Sequence, residues 1–264
     1  MYDPPSYVWA IAIAEAIAFP AATCVVLYDG AMRAGLGRRR AALLAGGAAV
    51  VLGGWFAASA VIAGHGWYHT RLGHGVPWMP VAVAGFLGLL LALRRIPVVA
   101  RALTAPGMVS RLELPHTFRV AGVAFVLTMA LGHLPALFAL PAGLGDIATG
   151  IAAPLVAPKL ARGTGRRAAL WLNAFGMTDL VVAMVLGALV GFQLIHTTPS
   201  GAPISGLPLA LIPTAAVPLL FALHITSVSA LVRAPRTPLP ATAPLIADTT
   251  PRTAAAKSPA SGVR

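Results

Sequence analysis

Charge is what this sequence lacks most. Only 10% of its 264 residues are charged, against about 25% in a soluble domain. That leaves too little polar material to coat a water-facing surface and excludes an ordinary soluble fold. Cysteine is nearly absent. Cys24 stands alone inside an apolar run, so no internal disulfide and no cysteine-based metal site can form. Lysine occurs only at Lys159 and Lys257, both outside the apolar runs, which excludes a retinal Schiff base within a span. No Walker A loop, Rossmann fingerprint, HExxH, GxSxG or DDxxD is present, so the familiar signatures of nucleotide binding, zinc proteolysis and serine hydrolysis are missing. Scarce lysine beside common arginine points to a GC-rich bacterial genome.

What is present is apolar. Hydrophobic residues make up 58% of the chain, and the mean hydropathy is +0.83. Long apolar runs recur, on the scale of the roughly 20 residues a helix needs to cross about 30 Å of hydrocarbon. Lipid leaves no backbone polar group unpaired, so such runs are helices, and the alternating pattern of a membrane barrel is absent. The expected fold is an all-α polytopic membrane bundle of about seven transmembrane helices. The predicted spans cover residues 7–28, 41–63, 77–93, 118–137, 144–157, 168–195 and 209–232. Together they make one unit over residues 1–232. Pro77 suits a first helical turn, where its missing N–H is not needed. No basic stretch precedes the first run, which reads as a retained span and not a signal peptide. Residues 233–264 are rich in Pro, Thr and Ala and read as a disordered cytoplasmic tail.

The charge pattern orients the bundle. The net charge is +12, but the basic residues sit in alternate connections. One side holds Arg33 and Arg38–Arg40, then Arg94, Arg95, Arg101 and Arg111, then Lys159, Arg162, Arg166 and Arg167, then the tail. Arg119, at the start of the fourth span, belongs with them, and only Arg71 falls opposite. The positive-inside rule makes the basic face cytoplasmic and puts the N-terminus outside. Tyr7, Trp9, Trp67, Tyr68, Trp78 and Trp171 take interfacial positions. The basic connections therefore meet anionic lipid headgroups, not nucleic acid. The expected location is the bacterial cytoplasmic membrane.

Ionisable groups inside a span are costly and mark function by default. Asp179 lies roughly 16 Å into its span at about 1.5 Å per residue, near the midplane. His224 falls at similar depth in the antiparallel last span, where an Asp and a His can share a proton. Asn173 lies near Asp179 in sequence. Glu15, His133 and Asp146 share the outer half, although Asp146 ahead of an apolar run also reads as a helix N-cap. The Pro- and Gly-rich stretch 132–145 reads as either an outer hairpin or a broken helix lining a site. His65, His69, His74 and His196 sit in outer connections, where with Glu15 or Asp146 they could ligate zinc or copper. These residues suggest a small proton-coupled carrier using Asp179 and His224. A non-catalytic accessory or sensor protein is the alternative, and a membrane-embedded metal-dependent hydrolase the third reading.

Overall fold

A computed structural model describes residues 4–69 and 75–233. They form helices α1 (Ser6–Arg33), α2 (Arg38–Gly64), α3 (Trp78–Leu93), α4 (Pro97–Leu103), α5 (Met108–Glu113), α6 (Val123–Ala130), α7 (Ala136–Ala161), α8 (Arg166–Gly191) and α9 (Val217–Arg233). A 3-10 helix, Leu114–Gly122, joins α5 to α6, and a π-helical turn, Ile212–Ala216, leads into α9. No strand occurs among the described residues. Arg71, His74 and the predicted tail lie outside them.

Five helices are long and apolar enough to cross a membrane: α1, α2, α7, α8, and α9 with its π turn. A sixth candidate is α3 with α4, bent by 87° between them. Large apolar side chains stay on the outer faces, among them Ile17, Leu43, Val50, Leu155 and Trp171. A surface of that kind suits hydrocarbon, and together with helix length it marks the chain as a membrane protein.

Glycine sets where the helices stop. Gly35, Gly66, Gly132 and Gly163 all have φ between 71° and 76°. After each, the next residue's N–H bonds back five residues, as in Leu36 to the Ala31 carbonyl and His133 to the Thr128 carbonyl. This is the Schellman stop, which needs the left-handed conformation that glycine tolerates. It corrects the predicted spans 118–137 and 144–157. The chain breaks at Leu131–Pro135, because Gly132 ends α6 and Pro135 caps α7. From Ala136 the helix runs unbroken through Pro141. Asp146 is therefore no N-cap; it lies well inside α7.

The irregular backbone sits elsewhere, in the 3-10 segment. Its period is three residues per turn. Glu113, His116 and Arg119 are spaced by three, and all are buried along with Gly122. The segment packs chiefly on α7, and a Cβ on Gly150 would meet the Val120 nitrogen at 2.5 Å. Small residues on α7 thus admit the 3-10 backbone at close range.

Tertiary contacts gather the basic segments. Asp29 of α1 pairs with Arg33 at 2.9 Å and with Arg111 of α5 at 3.3 Å. Gly30 lies against Ala102 of α4. Arg94, at the end of α3, feels the charges of Arg95 and of Arg233 at the end of α9. Away from these ends, Tyr68, Ser59 and Thr214 form a buried hydroxyl chain of 3.0 and 2.5 Å. The Trp55 indole, stacked on Phe86, donates at 2.9 Å to the Thr214 carbonyl in the π turn. That bond occupies a carbonyl where the regular helical ladder is disturbed.

Candidate functional site

The 3-10 stripe delivers a guanidinium to the centre of the bundle. Arg119 is 1% exposed, which corrects its assignment to the basic face. Four of its hydrogen bonds are defined. Nε donates to Asp146 Oδ1 of α7 at 2.6 Å and Nη2 to Asp179 Oδ2 of α8 at 2.5 Å. Nη1 reaches His224 Nε2 of α9 at 3.1 Å and the Gly176 carbonyl at 3.4 Å. A buried arginine without carboxylates would be prohibitively desolvated, and α7 and α8 supply one each.

Two glycines make this convergence possible. A Cβ on Gly145 would sit 1.7 Å from Asp179 Oδ1, so the carboxylate crosses α7 where no side chain stands. A Cβ on Gly176 would meet the His224 ring at 2.5 Å and Arg119 Nη1 at 2.9 Å. Both positions demand glycine for close approach and not for turn geometry.

Hydrogen-bond direction extends outward from the arginine. Guanidinium nitrogens only donate, so His224 Nε2 accepts and its proton resides on Nδ1. Nδ1 then donates to Asn173 Oδ1 at 2.8 Å. Asn173 Nδ2 donates to Glu113 Oε1 at 2.7 Å and to the Ala169 carbonyl at 2.8 Å. Ser227 Oγ donates to the same Glu113 oxygen at 2.6 Å. The His116 ring stacks on His224 with centroids 3.8 Å apart and planes 14° apart. A polar line thus runs from Asp146 and Asp179 through Arg119, His224 and Asn173 to Glu113. Glu113 closes α5, which also carries Arg111 of the basic end.

Some polar atoms in this region stay unpaired. Glu113 Oε2, both ring nitrogens of His116, and Glu15 Oε2 are buried without a hydrogen-bond partner among the described residues. Glu15, on α1, feels the charges of Asp146 and Arg119. Native proteins satisfy nearly all buried polar groups, so each of these calls for a further partner such as a water, an ion or a proton.

Two openings reach the carboxylates. Asp146 lines a cavity of about 60 Å³ together with Phe125, Phe138, Leu180, Met184, Tyr68 and Ser205. Asp179 lines a separate crevice with Pro141, Leu144, Gly145, Phe175, Thr178 and Val182. Leu144 and Phe175 are exposed on the outer faces of α7 and α8, so this crevice opens sideways.

The structure brings together Asp179, His224, Asn173, Asp146 and Glu15 from the predicted set. Asp179 and His224 do not meet directly; Arg119 joins them. His133 stands apart, exposed in the α6–α7 turn. His65, His69 and His196 are exposed, and His74 lies outside the described residues. Among the described residues no group of three or more His, Cys, Asp or Glu side chains could hold a metal ion. α2 ends at Gly64, ahead of both His65 and His69. Glu113, His116, Arg119 and Ser227 are members that the apolar-span reading misses. For the first three the available signal is the spacing of three from Glu113 to Arg119 across a proline.

The model of a family described as a domain of unknown function (DUF8737) matches residues 76–232, more than half of the chain. That stretch holds every network residue named here except Glu15. No curated protein and no solved structure matches the chain.

Proposed function

The chain belongs to the DUF8737 family, and we propose that it is a small proton-coupled carrier of the bacterial cytoplasmic membrane, with Arg119, Asp146 and Asp179 as its proton-exchanging centre. One observation carries the reading. A single buried guanidinium holds two carboxylates, and each carboxylate lines a different opening. Counting Glu15 and Glu113, four carboxyl groups share one fixed cation. In a low-dielectric interior the surplus carboxylates must take up protons or other cations. When one Asp is protonated, the arginine pairs with the other, so loading at one opening is felt at the second. His224, Asn173 and Glu113 supply a hydrogen-bonded path toward the basic end.

The topology in this proposal has seven crossings, with the N-terminus outside and the basic end cytoplasmic. The composite rod of α5, the 3-10 helix and α6 supplies the crossing that helix length alone leaves out. At roughly 1.5 Å per α-helical residue and 2 Å per 3-10 residue, residues 108–130 reach about 39 Å if straight. The basic ends would rest on anionic headgroups. Arg94 also borders an apolar cavity of about 350 Å³ lined by Leu43, Leu90 and Leu223, which suits a lipid chain beneath such a headgroup.

A purely structural accessory role has no need for two carboxylates that line separate openings. The test is proton flux in proteoliposomes loaded with a pH-sensitive dye under an imposed pH gradient. Panels of small organic cations, weak acids and neutral solutes are added in turn. At least one class is expected to drive flux through the wild type, and Arg119→Gln should reduce it at least tenfold. Flux no greater than in empty liposomes for every class would sink the proposal.

A further inference from the structure

We infer that the cavity above Asp146 is a binding site for small alkylammonium ions, which exchange there for a proton. The inference rests on the carrier reading for its transport consequence, but not for the binding itself.

The chemistry of the floor selects a cation. Arg119 commits Nε, Nη1 and Nη2 to named acceptors, which leaves it little to offer an anion. The carboxylates have capacity to spare. Asp146 Oδ1 takes the Arg119 bond, while Oδ2, beside Gly122, has no hydrogen bond among the described residues, and the side chain lines the cavity. A ligand with N–H donors and positive charge can take the place of a proton on that carboxyl group. An anion would instead have to displace Asp146 from the guanidinium.

The walls select small size and an apolar body. Phe125 and Phe138 stand edge to face, with centroids 5.1 Å apart, beside Leu180 and Met184. Aromatic rings near a desolvated ammonium add cation–π attraction. Benzene occupies an apolar cavity of roughly 150 Å³. The cavity here is well under half that, at about 60 Å³, so the ligand has only a few heavy atoms. Methylammonium fits both limits. Its charge replaces a proton on Asp146: the ammonium enters, one proton leaves, and the charge of the site is unchanged.

The experiment is equilibrium binding of radiolabelled methylammonium to the purified full-length protein in detergent. Proton release is followed in parallel with an indicator dye in weak buffer. Saturable binding is expected with about one proton released per ion bound, as one-for-one exchange at a carboxylate requires. Asp146→Asn should weaken binding at least tenfold. Ala183→Leu, which fills the cavity from α8 and leaves every network residue intact, should do the same. Acetate should not compete. No saturable binding, unchanged binding in both variants, or competition by acetate equal to that by unlabelled methylammonium would each overturn the site. The two proposals fail separately. Binding with proton release in detergent but no flux in liposomes upholds the site and refutes the carrier. Proton flux driven by other solutes without methylammonium binding upholds the carrier and refutes this ligand class.

Discussion

Charge balance around Arg119 predicts an unusual order of stabilities. Arg119→Gln removes the only cation paired, among the described residues, with two buried carboxylates, which it contacts at 2.6 and 2.5 Å. Removing one partner of a buried pair costs about 3–5 kcal/mol, because a charge is left uncompensated. With the surplus carboxyl protonated, one carboxylate is left bare, so that range applies. Asp179→Asn should behave differently. It leaves one guanidinium with one carboxylate, and the amide oxygen can still accept from Nη2. A hydrogen bond to a charged group contributes about 1.5–3 kcal/mol and a neutral one about 0.5–1.5 kcal/mol. The difference is near 1 kcal/mol, and losing the surplus negative charge offsets it, so Asp179→Asn should stay within about 1 kcal/mol of the wild type. The triple replacement Arg119→Met, Asp146→Leu, Asp179→Leu should recover the loss, since apolar substitution of a buried ionic triad is often neutral or stabilising. It should also abolish flux. Cys24 is half-buried in α1 and is the chain's single cysteine, so labelling by a fluorogenic maleimide reports unfolding in detergent. Chemical denaturation read this way gives the order directly. If Asp179→Asn costs as much as Arg119→Gln, the surplus-carboxylate argument is wrong. If Arg119→Gln stays within about 1 kcal/mol of the wild type, the guanidinium does not hold these helices.

Two further outcomes follow from close approaches. Gly145→Ala places a methyl 1.7 Å from Asp179 Oδ1; the forced shift should cost about 1–3 kcal/mol and reduce proton flux, whereas alanine at exposed Gly46 of α2, with open space around it, should leave flux unchanged and stabilise by about 0.5–1 kcal/mol. Trp55→Phe keeps a ring to stack on Phe86 but removes the donor to the Thr214 carbonyl, and should cost about 1–3 kcal/mol in the same denaturation assay.

Membrane character and most helix positions were legible in the sequence because they rest on composition and on run length, which depend little on tertiary structure. Asp179, His224 and Asn173 were legible for the same reason: a polar side chain deep in an apolar run must find a partner. Where local signals compete, legibility fails. Gly145 and Asp146 look like the opening of a helix, but Gly132 and Pro135 break the chain earlier, and Gly145 is instead the gap through which Asp179 reaches its arginine.

Arg119 shows why the centre of the site was hidden. A lone arginine where an apolar run begins is the usual mark of a cytoplasmic boundary. On an α-helix each step of three falls about 60° short of a full turn, so residues at that spacing drift sideways along one face. Glu113, His116 and Arg119 would then be fanned across about 120° of a helix and would not stand in one line. On a 3-10 helix the same step closes a full turn, and the three side chains eclipse at intervals of about 6 Å. The tighter winding therefore converts a scattered polar stretch into a ladder carrying an acid, an imidazole and a guanidinium from the α5 end of the bundle to its interior. Which winding the chain adopts depends on the surface it packs against. Small residues on α7 admit the narrower backbone, so the information that places Arg119 is divided between residues 113–122 and a helix that begins at Ala136.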